Sequence, residues 1–187
     1  DFALALTRLA LHLRPDFPAA QMLVGGILEQ QQRSEDANKV YQAIKPDSWF
    51  SWSARLRIAA NLEALEKHDE AEALLRAMAK ERPERTDALT QLGGMIRAKE
   101  RFADAVLVYD EAMARVKKVD QRHWPLLYAR GIALERSKQW PRAEADFLRA
   151  LELQPDQAYV LNYLGYSWID RGENLDRGME MIRKAVE

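Results

Sequence analysis

The chain has 187 residues, of which 48% are apolar and 30% charged, an ordinary soluble balance. Its formal net charge of −1 lacks the basic excess that displaces counterions from phosphates, which argues against a nucleic-acid partner. With no cysteine, disulfides and thiolate metal sites are excluded.

The first element, residues 1–14, opens directly in a helical pattern with Leu4, Leu6, Leu9, Leu11 and Leu13, and Pro15-Asp16 ends it. Residues 17–46 read as a helix pair. Gly25 lies in the middle of its first helix, Gln32-Arg33-Ser34 forms the polar turn, and Ala37 and Tyr41 share one face of the second helix. The apolar run from Met22 to Leu28 is far shorter than the roughly 20 residues that cross a bilayer, so no membrane insertion by this segment is predicted. Pro46-Asp47 closes the pair and offers an acidic residue to the next helix start.

Residues 48–83 repeat the plan with Ala59, the turn Lys67-His68-Asp69, the pair Ala71 and Leu75, and Pro83-Glu84 at the end. At its head, Trp49-Phe50-x-Trp52 places three large aromatics in four residues. They could form an exposed patch. The expectation is that they fill the gap left by a missing proline and pack between helices. Residues 86–117 carry Gly93, Lys99-Glu100-Arg101, and Ala105 with Tyr109. Residues 120–155 follow a joint lengthened by about four residues before Trp124, which could form a small docking loop but is expected to be a neutral insertion, because loops tolerate them. That unit holds Gly131, Ser137-Lys138-Gln139, and Ala143 with Phe147, and Pro155-Asp156 ends it. Residues 156–187 begin a fifth unit with Gly165 and Gly178 and stop in mid-pattern.

These elements repeat with one period. Ala3, Ala37, Ala71 and Ala105 are 34 apart, Ala143 follows 38 later and Gly178 a further 35. Ala10, Ile44, Met78, Ala112, Ala150 and Ala185 run in step, as do Gly25, Ala59, Gly93, Gly131 and Gly165. Glycine inside a helix costs up to about 1 kcal/mol against alanine, so its recurrence predicts close helix contact there. A fixed period in this range signals stacked supersecondary units.

Chemistry is sparse. His12, His68 and His123 sit in different units with no second ligand at metal spacing, so no metal site and no cofactor is expected. No phosphate-loop, nucleophile-elbow or zinc-protease motif occurs, and the carboxylates read as solvated helix faces. No enzymatic activity is expected.

Leu164-Gly165-x2-Trp168, then Ala143-x3-Phe147 with Ala150 and Pro155, resemble the tetratricopeptide repeat family, with Leu92-Gly93-x2-Ile96 and Val24-Gly25-x2-Leu28 as looser fits. The resemblance covers essentially the whole chain. Trp49 and Lys117 stand where proline is expected, and Gly178 where alanine is. It implies an all-α, right-handed superhelical solenoid of antiparallel helix pairs, about eleven helices in a single array. The exposed first and last helices imply a piece of a longer array that self-associates through uncapped ends at high concentration. The run from Leu161 to Tyr166 followed by Arg171-Gly172 is similar to long bacterial repeat proteins, many exported and some resembling adaptors for periplasmic proteases. This favours a periplasmic or membrane-associated setting over the cytoplasm.

The resemblance also implies a site. In the family the first helix of each pair lines a concave groove through its second, fifth, ninth and twelfth positions. Carried onto this chain, these point to Glu63, Thr90, Arg97, Tyr128, Glu135, Tyr159, Asn162 and Tyr166 as contacts for a protein or peptide partner. The family's carboxylate clamp, Lys at the fifth position and Asn at the ninth, is absent: these positions hold Met22 and Gly26, Leu56 and Ala60, Thr90 and Gly94, Tyr128 and Ile132, and Asn162 and Tyr166. Tyr128 and Tyr166 are expected to be at least partly exposed, while Tyr163 and Trp168 fall where they could pack between helices. The expected role is a protein-interaction scaffold, with a structural self-assembly module as the alternative.

Overall fold

The computed structural model describes residues 7, 9 and 11–186. Its contacts divide the chain into two compact units, Asp1–Arg82 and Pro83–Glu187. The first holds α1 (Pro18–Gln30), α2 (Ser34–Gln42), α3 (Ser51–Ala64) and α4 (His68–Glu81). The second holds α5 (Asp87–Ala98), α6 (Phe102–Ala114), α7 (Trp124–Arg136), α8 (Trp140–Leu153), α9 (Ala158–Asp170) and α10 (Leu175–Ala185). No strand occurs among the described residues, and within each unit successive helices pack as hairpins. Thr7, Leu9 and residues 11–13 are helical; the rest of the predicted first helix, with Leu4 and Leu6, lies outside the described residues. No helix described is long and apolar enough to cross a membrane.

One device turns the chain inside every pair. Gln32, Glu66, Glu100, Lys138 and Gly172 all adopt positive φ, between 58° and 69°. After α1, the Gln32 amide donates to the Glu29 carbonyl and the Arg33 amide to that of Leu28. The same two bonds recur at Glu66 and Lys67, Glu100 and Arg101, Lys138 and Gln139, and Gly172 and Glu173. This is the Schellman motif, which satisfies carbonyls that a helix end leaves without amides. Helix starts are set as simply: Pro18, Pro125 and Pro141 occupy first-turn positions, where the missing N–H costs nothing.

The recurrent glycines meet the aromatic residue 16 positions later. A Cβ on Gly93 would stand 2.5 Å from the Tyr109 ring, and one on Gly131 2.6 Å from Phe147; Tyr41 lies over Gly25 in the same way. Tyr41, Tyr109 and Phe147 are 2% exposed or less. Where the second-helix residue is Leu75, the first helix tolerates Ala59, and both are fully buried. In the last pair the backbones themselves close up, with Gly165 and Gly178 each facing the other's carbonyl oxygen. Close contact at the small-residue series is thus the basis of the hairpins.

Polar links fix neighbouring pairs. In the first unit the buried Asn61 side chain donates to Asn38 at 2.9 Å, joining α3 to α2. In the second, Arg130 on α7 clasps Asp146 on α8 through two bonds of 2.7 Å and reaches Asp110 on α6 at 2.9 Å. Asp146 is 6% exposed, so the expectation that the carboxylates are all solvated fails there. Bidentate charge-assisted bonding offsets the desolvation that would otherwise forbid burial.

Two joints differ from expectation or refine it. Trp49 is 97% exposed and Phe50 41%, so the aromatic triplet does not plug the gap left by the missing proline. Only Trp52 is half-buried, with Arg55 over its ring. The lengthened joint before α7 forms a 3-10 turn, Gln121–His123, under an Asp120 cap. Bonding to Arg122 holds the Asp120 carboxyl down at about 2, against the opposing effect of desolvation.

Candidate functional site

The first helices of the second unit are α5, α7 and α9. Thr90, Gly94 and Arg97 follow one another on α5 at spacings of four and three, which keeps them on one face. Tyr128, Ile132 and Glu135 do the same on α7, and Tyr159, Asn162 and Tyr166 share a face of α9 at spacings of three and four. All nine retain solvent access. Their neighbours Leu92, Leu127, Val160 and Leu164 are buried on the opposite faces.

Aromatic contacts tie α7 to α9. The Tyr128 ring meets Tyr163 edge-on at 6.1 Å and lies 6.2 Å from the buried Phe147, and Trp124 lies 6.4 Å away on its other side. Tyr163 packs on Phe147 at 5.2 Å and its hydroxyl donates to Glu135 at 3.1 Å. Burial raises the Tyr163 phenol well above its ordinary value, and the Glu135 carboxylate adds to the shift. The phenol therefore remains a protonated donor, and Glu135 has a fixed partner.

Exposure grades across this cluster. Trp168 is 1% exposed, its indole N–H donating to Glu144 at 2.6 Å, so it belongs to the core. Tyr163 and Tyr128 are half-buried. Tyr159 and Tyr166, 69% and 65% exposed, stand in solvent beside the exposed Asn162. The expected accessibility of Tyr128 and Tyr166 is met. Tyr128 is at once a packing residue and a surface one.

On α5, Gly94 leaves open space beneath which the Tyr109 hydroxyl of α6 lies, and Arg97 stands one turn on. A helical side chain leans toward the preceding turn, and Arg97 lies three residues after Gly94. The Tyr109 hydroxyl is 3.9 Å from where a Gly94 Cβ would be. Burial raises the Tyr109 phenol, and hydrogen bonding and charge from Arg97 oppose it. Arg97 also opposes the burial-driven rise at Tyr128. The Arg97 Nε is buried and has no acceptor. Thr90 contributes little polarity, because its hydroxyl donates to the Thr86 carbonyl at 2.8 Å.

The first unit shows the same construction on α1 and α3. Glu29 accepts an ion pair from Arg57, beside the Tyr41 hydroxyl and the bare Gly26. Met22, Gly26, Glu29 and Arg57 line a shallow cavity of about 420 Å³ with their neighbours. Glu63, the remaining residue expected at the site, bonds to His68 Nδ1 at 2.8 Å. The sequence pointed to the candidate positions on these faces but not to the hydroxyls of Tyr41 and Tyr109 beside them. The Gly25-Gly26 and Gly93-Gly94 doublets, each followed 16 residues on from the first glycine by tyrosine, carry that signal.

Comparison with known proteins gives a consistent result. The tetratricopeptide repeat family profile matches residues 1–51 and 56–117, and a second profile of the same description matches 124–157. No curated protein matches the chain. Among solved structures, yeast Tom70 is similar with a TM-score of 0.84 at 17% identity, over 97% of this chain and 38% of that one. The pilF protein of Pseudomonas aeruginosa gives 0.72 at 16%, over 90% and 76%. YrrB, described as a repeat protein with an unusual peptide-binding site, gives 0.60 at 16%, over 96% and 90%. At these identities the likeness is one of fold.

Proposed function

Because the chain belongs to the tetratricopeptide repeat family, we propose that it is a protein-interaction scaffold whose first-helix face in the second unit holds an extended or helical segment of a partner. The observation that carries this reading is the graded aromatic surface of Tyr128, Tyr159 and Tyr166 with Asn162 and Arg97 beside it. Tyr159 and Tyr166 offer rigid, flat surface with a hydroxyl, at little entropic cost to a binder, while the half-buried Tyr128 anchors them to the core. The peptide-binding site described for YrrB supports the same class of function. The role is one of binding without catalysis.

The test is affinity capture from source-cell extract, with the wild-type chain beside a Tyr159→Ser, Tyr166→Ser double variant of equal helicity. Both tyrosines are exposed, so their replacement leaves the core intact. A protein retained by wild type and lost from the variant establishes the site and names the partner. Equal retention by both moves the site elsewhere. Self-assembly is the second reading, favoured by the exposure of Leu175 and Met179 on α10, at 50% and 52%. Capture of the chain alone, with mass rising with concentration in light scattering, selects it.

A further inference from the structure

Four first helices carry a charged residue at the same repeat position: Glu29, Glu63, Arg97 and Glu135. Each glutamate has a partner within its own unit, in Arg57, His68 and the Tyr163 hydroxyl respectively. Arg97 is the exception in sign and in pairing. No carboxylate among the described residues pairs with it, and its Nε is buried with no acceptor. The oxygen beside it is the Tyr109 phenol, a neutral group that satisfies a guanidinium far less than an anion does.

A guanidinium has five N–H donors in a planar fork that matches a carboxylate, and leaving one buried and unmatched costs free energy. The surroundings leave room for the match. Gly94 presents bare backbone, Thr90 keeps its hydroxyl turned to its own helix, and Glu135 is engaged by Tyr163. We infer that Arg97 is the anion anchor of this face and takes a carboxylate of the bound segment, with Gly94 admitting that segment's backbone and the Tyr128 ring flanking it. This inference rests on the scaffold reading and adds the chemistry of what is bound. The carboxylate is that of an Asp or Glu side chain, because the Lys and Asn pair that gathers a chain terminus is absent from these helices.

The experiment is selection from two random dodecapeptide libraries, one displayed with free C-termini and one fused at both ends, against wild type, Arg97→Glu and Tyr159→Ser. The leading peptide is then remade, and its affinity is measured with Arg97→Gln and Arg97→Lys by fluorescence anisotropy. The expected result is an acidic residue fixed at one position of the wild-type selection, lost or replaced by Lys or Arg with Arg97→Glu. Arg97→Gln should weaken binding at least tenfold, Arg97→Lys less, and replacing the peptide's acid by its amide should add nothing further in the Arg97→Gln background. Enrichment in both libraries is expected; enrichment only with free C-termini overturns the side-chain source. Peptides that lose binding with Tyr159→Ser but carry no acid, or keep it with Arg97→Glu, overturn the anchor and leave the scaffold reading standing. Peptides indifferent to both Tyr159→Ser and Arg97→Glu, or no enrichment at all, overturn both.

Discussion

Tyr109 lies across Gly93 so closely that a Cβ on the glycine would stand 2.5 Å from the ring edge. The ring is fully buried and cannot swing aside. Gly93→Ala should therefore destabilise the chain by about 1–3 kcal/mol, even though alanine is the better helix former. The pair Ala59 and Leu75 shows the remedy in the same protein. In the Gly93→Ala background, Tyr109→Leu should cost much less than it does alone. Urea denaturation of the two single variants and the double gives the coupling; additive effects would mean that the ring is not what excludes the Cβ.

The turn position occupied by Gln32, Glu66, Glu100, Lys138 and Gly172 is left-handed in every pair, yet only the last is glycine. A side chain there costs roughly 1–2 kcal/mol, part of which glycine's greater freedom in the unfolded chain cancels. Lys138→Gly should stabilise the protein by about 0.5–1 kcal/mol and Gly172→Ala should destabilise it by a similar amount. Thermal melts of both variants decide the matter; a lower melting point for Lys138→Gly would show that the Lys138 side chain makes compensating contacts.

The architecture was legible because it is written in small residues at a fixed interval. Gly25, Gly93 and Gly131 are each set by one contact, with the ring 16 residues on. The turns were legible only as polar stretches, since Gln32, Glu66, Glu100 and Lys138 do not announce a left-handed backbone; the Schellman bonds around them impose it. The candidate positions came from the groove pattern that the family resemblance implies, and helical spacing places Tyr159, Asn162 and Tyr166 on one face. What each side chain does there did not follow. Glu29, Glu63 and Glu135 are alike in sequence but meet an arginine, a histidine and a tyrosine, and that depends on how neighbouring helices sit. Trp49 misled for the same reason: its composition favours burial, and the joint gives it no neighbour to be buried against.

Asp146 is the clearest case of chemistry hidden from the sequence. Its carboxylate accepts both 2.7 Å bonds from Arg130, and it is 6% exposed. Asp146→Ala removes the bidentate partner and leaves a half-buried guanidinium with Asp110 alone, so a loss of roughly 2–4 kcal/mol is expected. Asp110 is more exposed and shares Arg142 as well, so Asp110→Ala should cost about 1 kcal/mol or less. Replacing both members of the buried pair, Arg130→Met with Asp146→Leu, should recover most of the loss, since apolar packing avoids the desolvation of two charges. Urea midpoints of the three variants against wild type test this. If the double variant is no more stable than Asp146→Ala, the pair contributes through geometry that α7 and α8 cannot keep without it.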